Sequence, residues 1–381
     1  MKNFEFRNPT KLIFGKGTIA SLTKELPQGR KIMITFGGGS VKNNGVYSQV
    51  ITALKGFDYI EFWGIEPNPL VETVRKAVEI AKKENVDFIL SVGGGSTLDA
   101  TKVIAAAACS ELDAWDIVLK GVYKGEALPV AAVMTLPATC SEMNNVSVIS
   151  NDATKEKYAV NTYYPKFSIL APETTYSLPI HQLRCGLADT YIHVMEQYLT
   201  ETNISPLMDR WAEGILLTLK EVAPKVINDS KNYENMSNFM LCASMALNGM
   251  IAMGVSQDWA THMIGHELTA LTGLTHGHTL TIILPALMRI MCEQKKGKIL
   301  QYGERVLGIS EGSEQERIDA TIVATEDFFR SLGLKTRLSE NGINEDVSTE
   351  IVKRVKERGE KFGEKETVTY VEVEKILSLC K

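Results

Sequence analysis

Phe88-Ile89-Leu90-Ser91-Val92-Gly93-Gly94-Gly95-Ser96-Thr97-Leu98-Asp99 starts as an apolar β-rich run, breaks at three glycines and continues with helical character from Thr97 to Ala108. Strand, glycine turn and helix in that order form the unit of a parallel sheet. Lys31-Ile32-Met33-Ile34-Thr35-Phe36 repeats the pattern and ends in Gly37-Gly38-Gly39-Ser40. Val130 to Leu136 and Phe167 to Leu170 read as further strands. Residues 146–150 and 158–162 read as a hairpin around Asn151-Asp152. Near-continuous apolar strands alternating with helices predict a sheet buried on both faces. The expectation is a Rossmann-like α/β dinucleotide-binding domain over residues 1–179.

The pattern changes between Pro172 and Pro179. Helical periodicity then covers Leu183–Leu199, Pro206–Asn228, Asn235–Met253, Trp259–Leu271, Leu280–Glu293 and Asp319–Leu332, with a Glu- and Lys-rich helical tail from Ser348. Residues 180–381 are therefore expected to form an all-α metal-binding domain. No low-complexity linker separates the halves, which are expected to pack with a cleft between them. Met236, Met240, Met245, Met250 and Met253 lie mostly on helical spacing and read as core.

The chain has 381 residues, 44% apolar and 23% charged, with a formal net charge of -5. This composition suits a globular enzyme with a sizeable core and gives no attraction for nucleic acid or an anionic membrane. The amino-terminal residues carry no signal-like apolar region and no run is long enough to span a bilayer, so a cytoplasmic location is expected. Six scattered cysteines with no CxxC pair signal neither a disulfide framework nor a thiolate zinc site.

Glycines at Gly93, Gly94 and Gly95 allow the backbone to approach a pyrophosphate, and the following helix presents free N–H groups and the positive end of its dipole. Ser96 or Thr97 is expected to cap that helix and to donate to phosphate. The run is not GxGxxG; taken alone it is equally a tight turn. A second loop, Gly37, Gly38, Gly39 and Ser40, favours a dinucleotide. That loop has no acid to hold a ribose 2′-hydroxyl, and Ser40 with Lys42 leaves room and donors for a 2′-phosphate. NADP is expected, with NAD possible.

Four of the six histidines, His262, His266, His276 and His278, share one short segment. Upstream, Asp189 and His193 stand four apart on a predicted helix, as do His262 and His266, so each pair shares a face. Three imidazoles with one carboxylate suit one divalent ion, Fe²⁺ or Zn²⁺, better than Mg²⁺ or Ca²⁺. Spacing leaves open which three of the four clustered histidines bind it. HxxxH without the glutamate of HExxH argues against a metallohydrolase.

Several motifs now resemble one family. Glu66-Pro67-Asn68-Pro69, Gly93 to Ser96 with Asp99, Thr135-Leu136-Pro137-Ala138-Thr139-Cys140-Ser141-Glu142, Asp189 with His193, and Gln257 to His262 through His276-Gly277 are similar to the iron-containing (group III) alcohol dehydrogenases. The likeness spans the full length and is nearest to the butanol dehydrogenase and NADPH-dependent aldehyde reductase branch. It implies Asp189, His193, His262 and His276 as metal ligands and His266 as a non-ligand near the nicotinamide, suited to proton relay. It implies Gly93 to Ser96, with Gly94, Gly95 and Ser96 foremost, at the pyrophosphate, with Asp99, Thr135, Thr139 and Lys157 around the ribose and nicotinamide, and Asn68 at the adenosine side. It further implies a homodimer acting on a short-chain primary alcohol or aldehyde, such as butanol or butanal. Cys140 departs from the family, where glycine is frequent. A lyase of the dehydroquinate synthase type and a non-catalytic dinucleotide or metal sensor are the rival readings.

Overall fold

The computed structural model describes residues 1–381. Eight strands form: β1 (Lys11–Phe14), β2 (Lys31–Phe36), β3 (Asp58–Phe62), β4 (Phe88–Gly93), β5 (Val130–Met134), β6 (Val146–Asn151), β7 (Glu156–Asn161) and β8 (Phe167–Leu170). Six of them make one sheet in the order β1-β8-β5-β4-β2-β3, with every pair parallel. β6 and β7 form the expected antiparallel hairpin, which pairs Asn151 with Glu156.

Every residue of β4 and β5 is buried, because alternate side chains enter two different cores. Ile89 and Ala132 point to one face, with Val74, Val103, Ile104 and Ile117 from the helices Val71–Lys83, Gly95–Ala108 and Ala114–Leu119. Leu90 and Val133 point to the other, with Val46 and Val50 of the helix Val46–Ala53. This is the period-two signature of a sheet covered on both sides. The edge strands β1 and β3 escape the sequence reading. They have four and five residues, are only half-buried, and carry Lys11, Asp58 and Glu61.

The chain divides into two compact units. One comprises residues 7–183 and 229–244, and the other residues 1–6, 184–228 and 245–381. A single cut near residue 180 does not separate them, since the first six residues and the 229–244 segment each belong with the unit across that cut. The second unit is built from helices, among them Ile180–Tyr198 from residue 184 onward, Pro206–Asn228, Ala260–Thr272, His276–Ile290, Cys292–Tyr302, Glu314–Ser331, Glu345–Arg358 and Tyr370–Leu379. One of its cores joins Ile264, Leu268, Ile283, Leu287, Ile351, Val355 and Ile376.

Three helical expectations shift. The helix expected over 319–332 runs Glu314–Ser331. The helix expected over 235–253 runs Tyr233–Ala246 instead, and Gly249 at φ +90° ends further propagation. The helix expected from Leu280 starts at His276. The helix after β4 begins at Gly95 with Gly94 as N-cap, and no side chain caps it. The capping role expected of Ser96 or Thr97 is thus not filled, and the first amides of that helix have no side-chain acceptor.

Two loop glycines make opposite demands. A Cβ at Gly95 would lie 2.2 Å from Thr139 Oγ1, whereas one at Gly38 meets nothing within 4 Å. Gly95→Ala should therefore destabilise the protein by about 1–3 kcal/mol and Gly38→Ala should be near neutral. Paired denaturant melts measure the contrast.

Candidate active site

Asp189 and His193 sit one turn apart on the buried helix Ile180–Tyr198. His262 lies in the first turn of Ala260–Thr272. That helix ends at Gly273, in the left-handed region at φ +71°, and the chain turns back at once into His276–Ile290, whose first residue is His276. Three helices thereby bring four side chains to one point. Asp189 Oδ1 is 3.9 Å from His193 Nε2, 3.8 Å from His262 Nε2 and 3.9 Å from His276 Nε2. The donor atoms of Asp189, His262 and His276 all lie within 4.8 Å of one another. His193 joins through Asp189 and by stacking on His262, with ring centroids 4.7 Å apart.

A divalent ion fits this set. Asp189 is 3% exposed, and its Oδ1 accepts no hydrogen bond. A buried carboxylate oxygen without a donor is costly unless a cation faces it. His193 does not readily supply that charge as a protonated ring: burial pulls it down to about 4, which leaves it neutral and a lone-pair donor. Tetrahedral zinc with bonds of roughly 2.0–2.1 Å has ligand–ligand edges of about 3.4 Å. The three distances here exceed that by a few tenths of an ångström, within reach of small side-chain rotations. His276 is the most exposed of the four side chains, at 19%, so the centre opens on its side.

The next layer contains a residue that the sequence reading missed. Glu196 lies on the same helix as Asp189 and His193. One of its carboxylate oxygens pairs with His262 Nδ1, and the other accepts from the Thr261 and His262 amides at 2.6 and 3.3 Å. It therefore aims the His262 ring and satisfies N–H groups at the start of the helix Ala260–Thr272. Burial pushes its carboxyl up to about 7, against the lowering pull of those amides. Its spacing, seven residues after Asp189 on a buried face, is the one signal that marks it in the sequence.

The remaining histidines separate. His266 is buried beside the cluster, with ring centroids 5.0 Å from His276 and 6.3 Å from His262. His278 faces elsewhere, its Nε2 2.9 Å from the Lys335 carbonyl. Gly277 sets how closely the third helix approaches: a Cβ there would fall 2.3 Å from the Cys185 carbonyl oxygen and 3.2 Å from Asp189 Cβ.

In the α/β unit the two glycine loops are neighbours, since a Cβ at Gly37 would be 3.5 Å from Thr97 Oγ1. Gly94 and Gly95 pack on the segment after β5, against Leu136 and Thr139, and the Thr135 amide donates to the Gly93 carbonyl at 2.9 Å. Asp99 is buried, accepting from Ser141 Oγ at 2.5 Å and the Val148 amide at 3.0 Å. Burial raises its carboxyl against the nearby Lys102 charge. Lys157 Nζ donates to Asn68 Oδ1 at 2.8 Å. The resemblance assigns those two residues to opposite ends of the cofactor; in contact, they would meet one region of it. Beside the first loop, Gly39 (φ +105°) leads into Ser40, and Lys42 Nζ lies 3.9 Å above the Trp63 ring, which stacks on Phe36 at 4.0 Å. Glu61 accepts from both Trp63 Nε1 and the Tyr47 hydroxyl.

A parallel nucleotide-type sheet and a buried acid-and-imidazole cluster in one chain are the marks of metal-assisted oxidoreductases. The chain belongs to the iron-containing alcohol dehydrogenase family: the model of that name matches residues 9–172, and the C-terminal model of the Fe-containing alcohol dehydrogenases matches residues 185–380. Over 375 residues it is 48% identical to the NADPH-dependent aldehyde reductase YqhD of Escherichia coli, covering 97% of each chain. It is 42% identical over 384 residues to the probable NADH-dependent butanol dehydrogenase 1 of Bacillus subtilis, covering 99% of each. The crystal structure of Escherichia coli YqhD matches with a TM-score of 0.98 at 46% identity, over 100% of this chain and 99% of that one.

No helix is long and apolar enough to cross a membrane. Gly277→Ala should force the His276 helix away from Cys185 and Asp189, costing about 1–3 kcal/mol of stability and lowering the metal recovered per chain. Thermal melts with elemental analysis of the same preparation read both effects.

Proposed function

We propose that the protein is a metal-dependent alcohol dehydrogenase and aldehyde reductase. It transfers hydride between NADP(H), with NAD(H) as a poorer alternative, and a short-chain primary alcohol or aldehyde such as butanol or butanal. The reading rests above all on one buried carboxylate oxygen facing three imidazole nitrogens at 3.8–3.9 Å, in a member of this family. Asp189, His193, His262 and His276 are the proposed ligands of one Fe²⁺ or Zn²⁺. When bound, that ion supplies Lewis acidity toward the substrate oxygen, and the dinucleotide supplies or accepts the hydride.

The chain's own residues do the rest. Glu196 keeps His262 in the tautomer that presents Nε2 to the centre. His266, beside His276, holds the proton exchanged with the substrate oxygen. The bare amides at the start of the Gly95–Ala108 helix, with Gly94, Gly95 and Ser96, take the pyrophosphate. Gly37, Gly38, Gly39 and Ser40 take the adenosine end, while Asp99, Thr135, Thr139, Asn68 and Lys157 line the remainder. Lys42, held close to the first loop by the Trp63 face, is the counter-charge for a 2′-phosphate. A cytoplasmic homodimer completes the reading, on the strength of the composition and the family resemblance.

The assay is NADPH oxidation with butanal and added Zn²⁺ or Fe²⁺. His193→Ala and His276→Ala should lose both metal and turnover. His266→Ala should keep the metal while turnover falls by roughly 10²–10⁴-fold; loss of the metal in that variant would remove the role given to His266. Lys42→Ala should lower kcat/KM for NADPH by about tenfold and leave kcat/KM for NADH unchanged. An equal fall with both coenzymes would contradict the 2′-phosphate assignment.

A further inference from the structure

We propose that Lys295 is a positioning residue for the metal centre, fixing from outside the mutual placement of the two helices that carry Asp189, His193 and His262. The proposal rests on the ligand set given above. Lys295 lies on the helix Cys292–Tyr302, and its side chain is 1% exposed. Its ammonium has three protons and makes three bonds, each to a different segment. It donates to the Leu199 carbonyl at 2.8 Å, to Asp258 Oδ2 at 2.6 Å and to Glu364 Oε2 at 2.9 Å.

Each partner has a place in the metal architecture. Leu199 directly follows the helix Ile180–Tyr198, which bears Asp189, His193 and Glu196. Asp258 starts the other metal helix: its Oδ1 accepts from the Ala260 amide at 2.9 Å, and its own amide donates to the Glu196 carbonyl at 2.8 Å. Between Asp258 and that helix stands Trp259, held in the left-handed region at φ +63°, with its ring 5.3 Å from His262 and 6.2 Å from His193. Left-handed backbone is strained for a bulky residue and persists only where the surroundings impose it. Glu364 closes the arrangement from the carboxy-terminal loop, where Gln294 Nε2 donates to its other oxygen at 2.9 Å.

Energetics separate this role from ordinary stabilisation. Desolvating an ammonium and carboxylates together roughly cancels their attraction, so a buried triad is a weak source of stability. Its directional bonds are another matter. One nitrogen that must satisfy three acceptors leaves little freedom in the distance between the end of one metal helix and the start of the next. Glu196 links the same two helices at the ligand itself, and Lys295 does so from the opposite side of the Asp258 turn. Losing Lys295 frees that turn, and with it the direction of His262.

The test uses full-length protein stripped of metal and titrated with Co²⁺, whose visible d–d band reports affinity and ligand geometry. Wild type should bind one Co²⁺ per chain. Lys295→Met should bind it about 10–100-fold more weakly, with an altered d–d band. Glu364→Gln, which keeps the shape and a hydrogen-bonding group, should show a smaller loss in the same direction and carries the test if Lys295→Met does not fold. Lys220→Met is the control. That ammonium donates to the Val306 carbonyl at 2.7 Å and bonds to neither metal helix, so this variant should keep wild-type affinity even if its melting temperature falls. Unchanged Co²⁺ affinity and band in both Lys295→Met and Glu364→Gln, beside a lower melting temperature of the metal-free protein, would make Lys295 purely structural and overturn the proposal. Failure of wild type itself to bind Co²⁺ would instead remove the ligand set on which the proposal stands.

Discussion

A carboxylate oxygen buried without a hydrogen-bond donor is the constraint around which the helical unit is arranged. Asp189 Oδ1 faces three imidazole nitrogens and no N–H or O–H donor. Neutral rings cannot balance that charge, and protonated ones would repel one another at centroid separations of 4.7 and 5.2 Å. A cation at the common focus relieves the site. The close turn at Gly273, the missing side chain at Gly277 and the pairing of Glu196 with His262 all serve to hold four groups in a position that is unfavourable without one.

Backbone close approach recurs in both units. In the α/β unit, Gly95 gives way to Thr139, and the helix beyond it begins without a side-chain cap. In the helical unit, Gly277 gives way to the Cys185 carbonyl. Each glycine stands in the first turn of its helix. Absence of a Cβ in these places sets geometry by packing, while Gly38 and Gly39 of the first loop face open space.

How much could be read in advance followed from how locally each feature is encoded. β4 and β5 announce themselves as unbroken apolar runs because both faces are buried. β1 and β3 do not: four or five half-exposed residues at a sheet edge carry too little alternation to stand out. Asp189 with His193 was legible because a helix of 3.6 residues per turn places i and i+4 together. The start of the helix at His276 was obscured because its first turn, His-Gly-His-Thr, is selected for contacts other than apolar burial. Glu196 had only its spacing from Asp189 to mark it, and Lys295 had nothing. A glutamate and a lysine on helices ordinarily face solvent, and their partners, His262 Nδ1 and the Leu199 carbonyl, are assigned only by the tertiary fold. The contact between Asn68 and Lys157 likewise joins segments 89 residues apart.

The stacking beside the first glycine loop has an optical consequence. Trp63 carries an ammonium over its face and donates its Nε1–H to a carboxylate, so two opposite charges lie within contact of the indole. An anion that draws Lys42 off the ring removes one of the two and shifts the emission. The protein therefore carries an indole whose emission would report any displacement of Lys42, with no label attached.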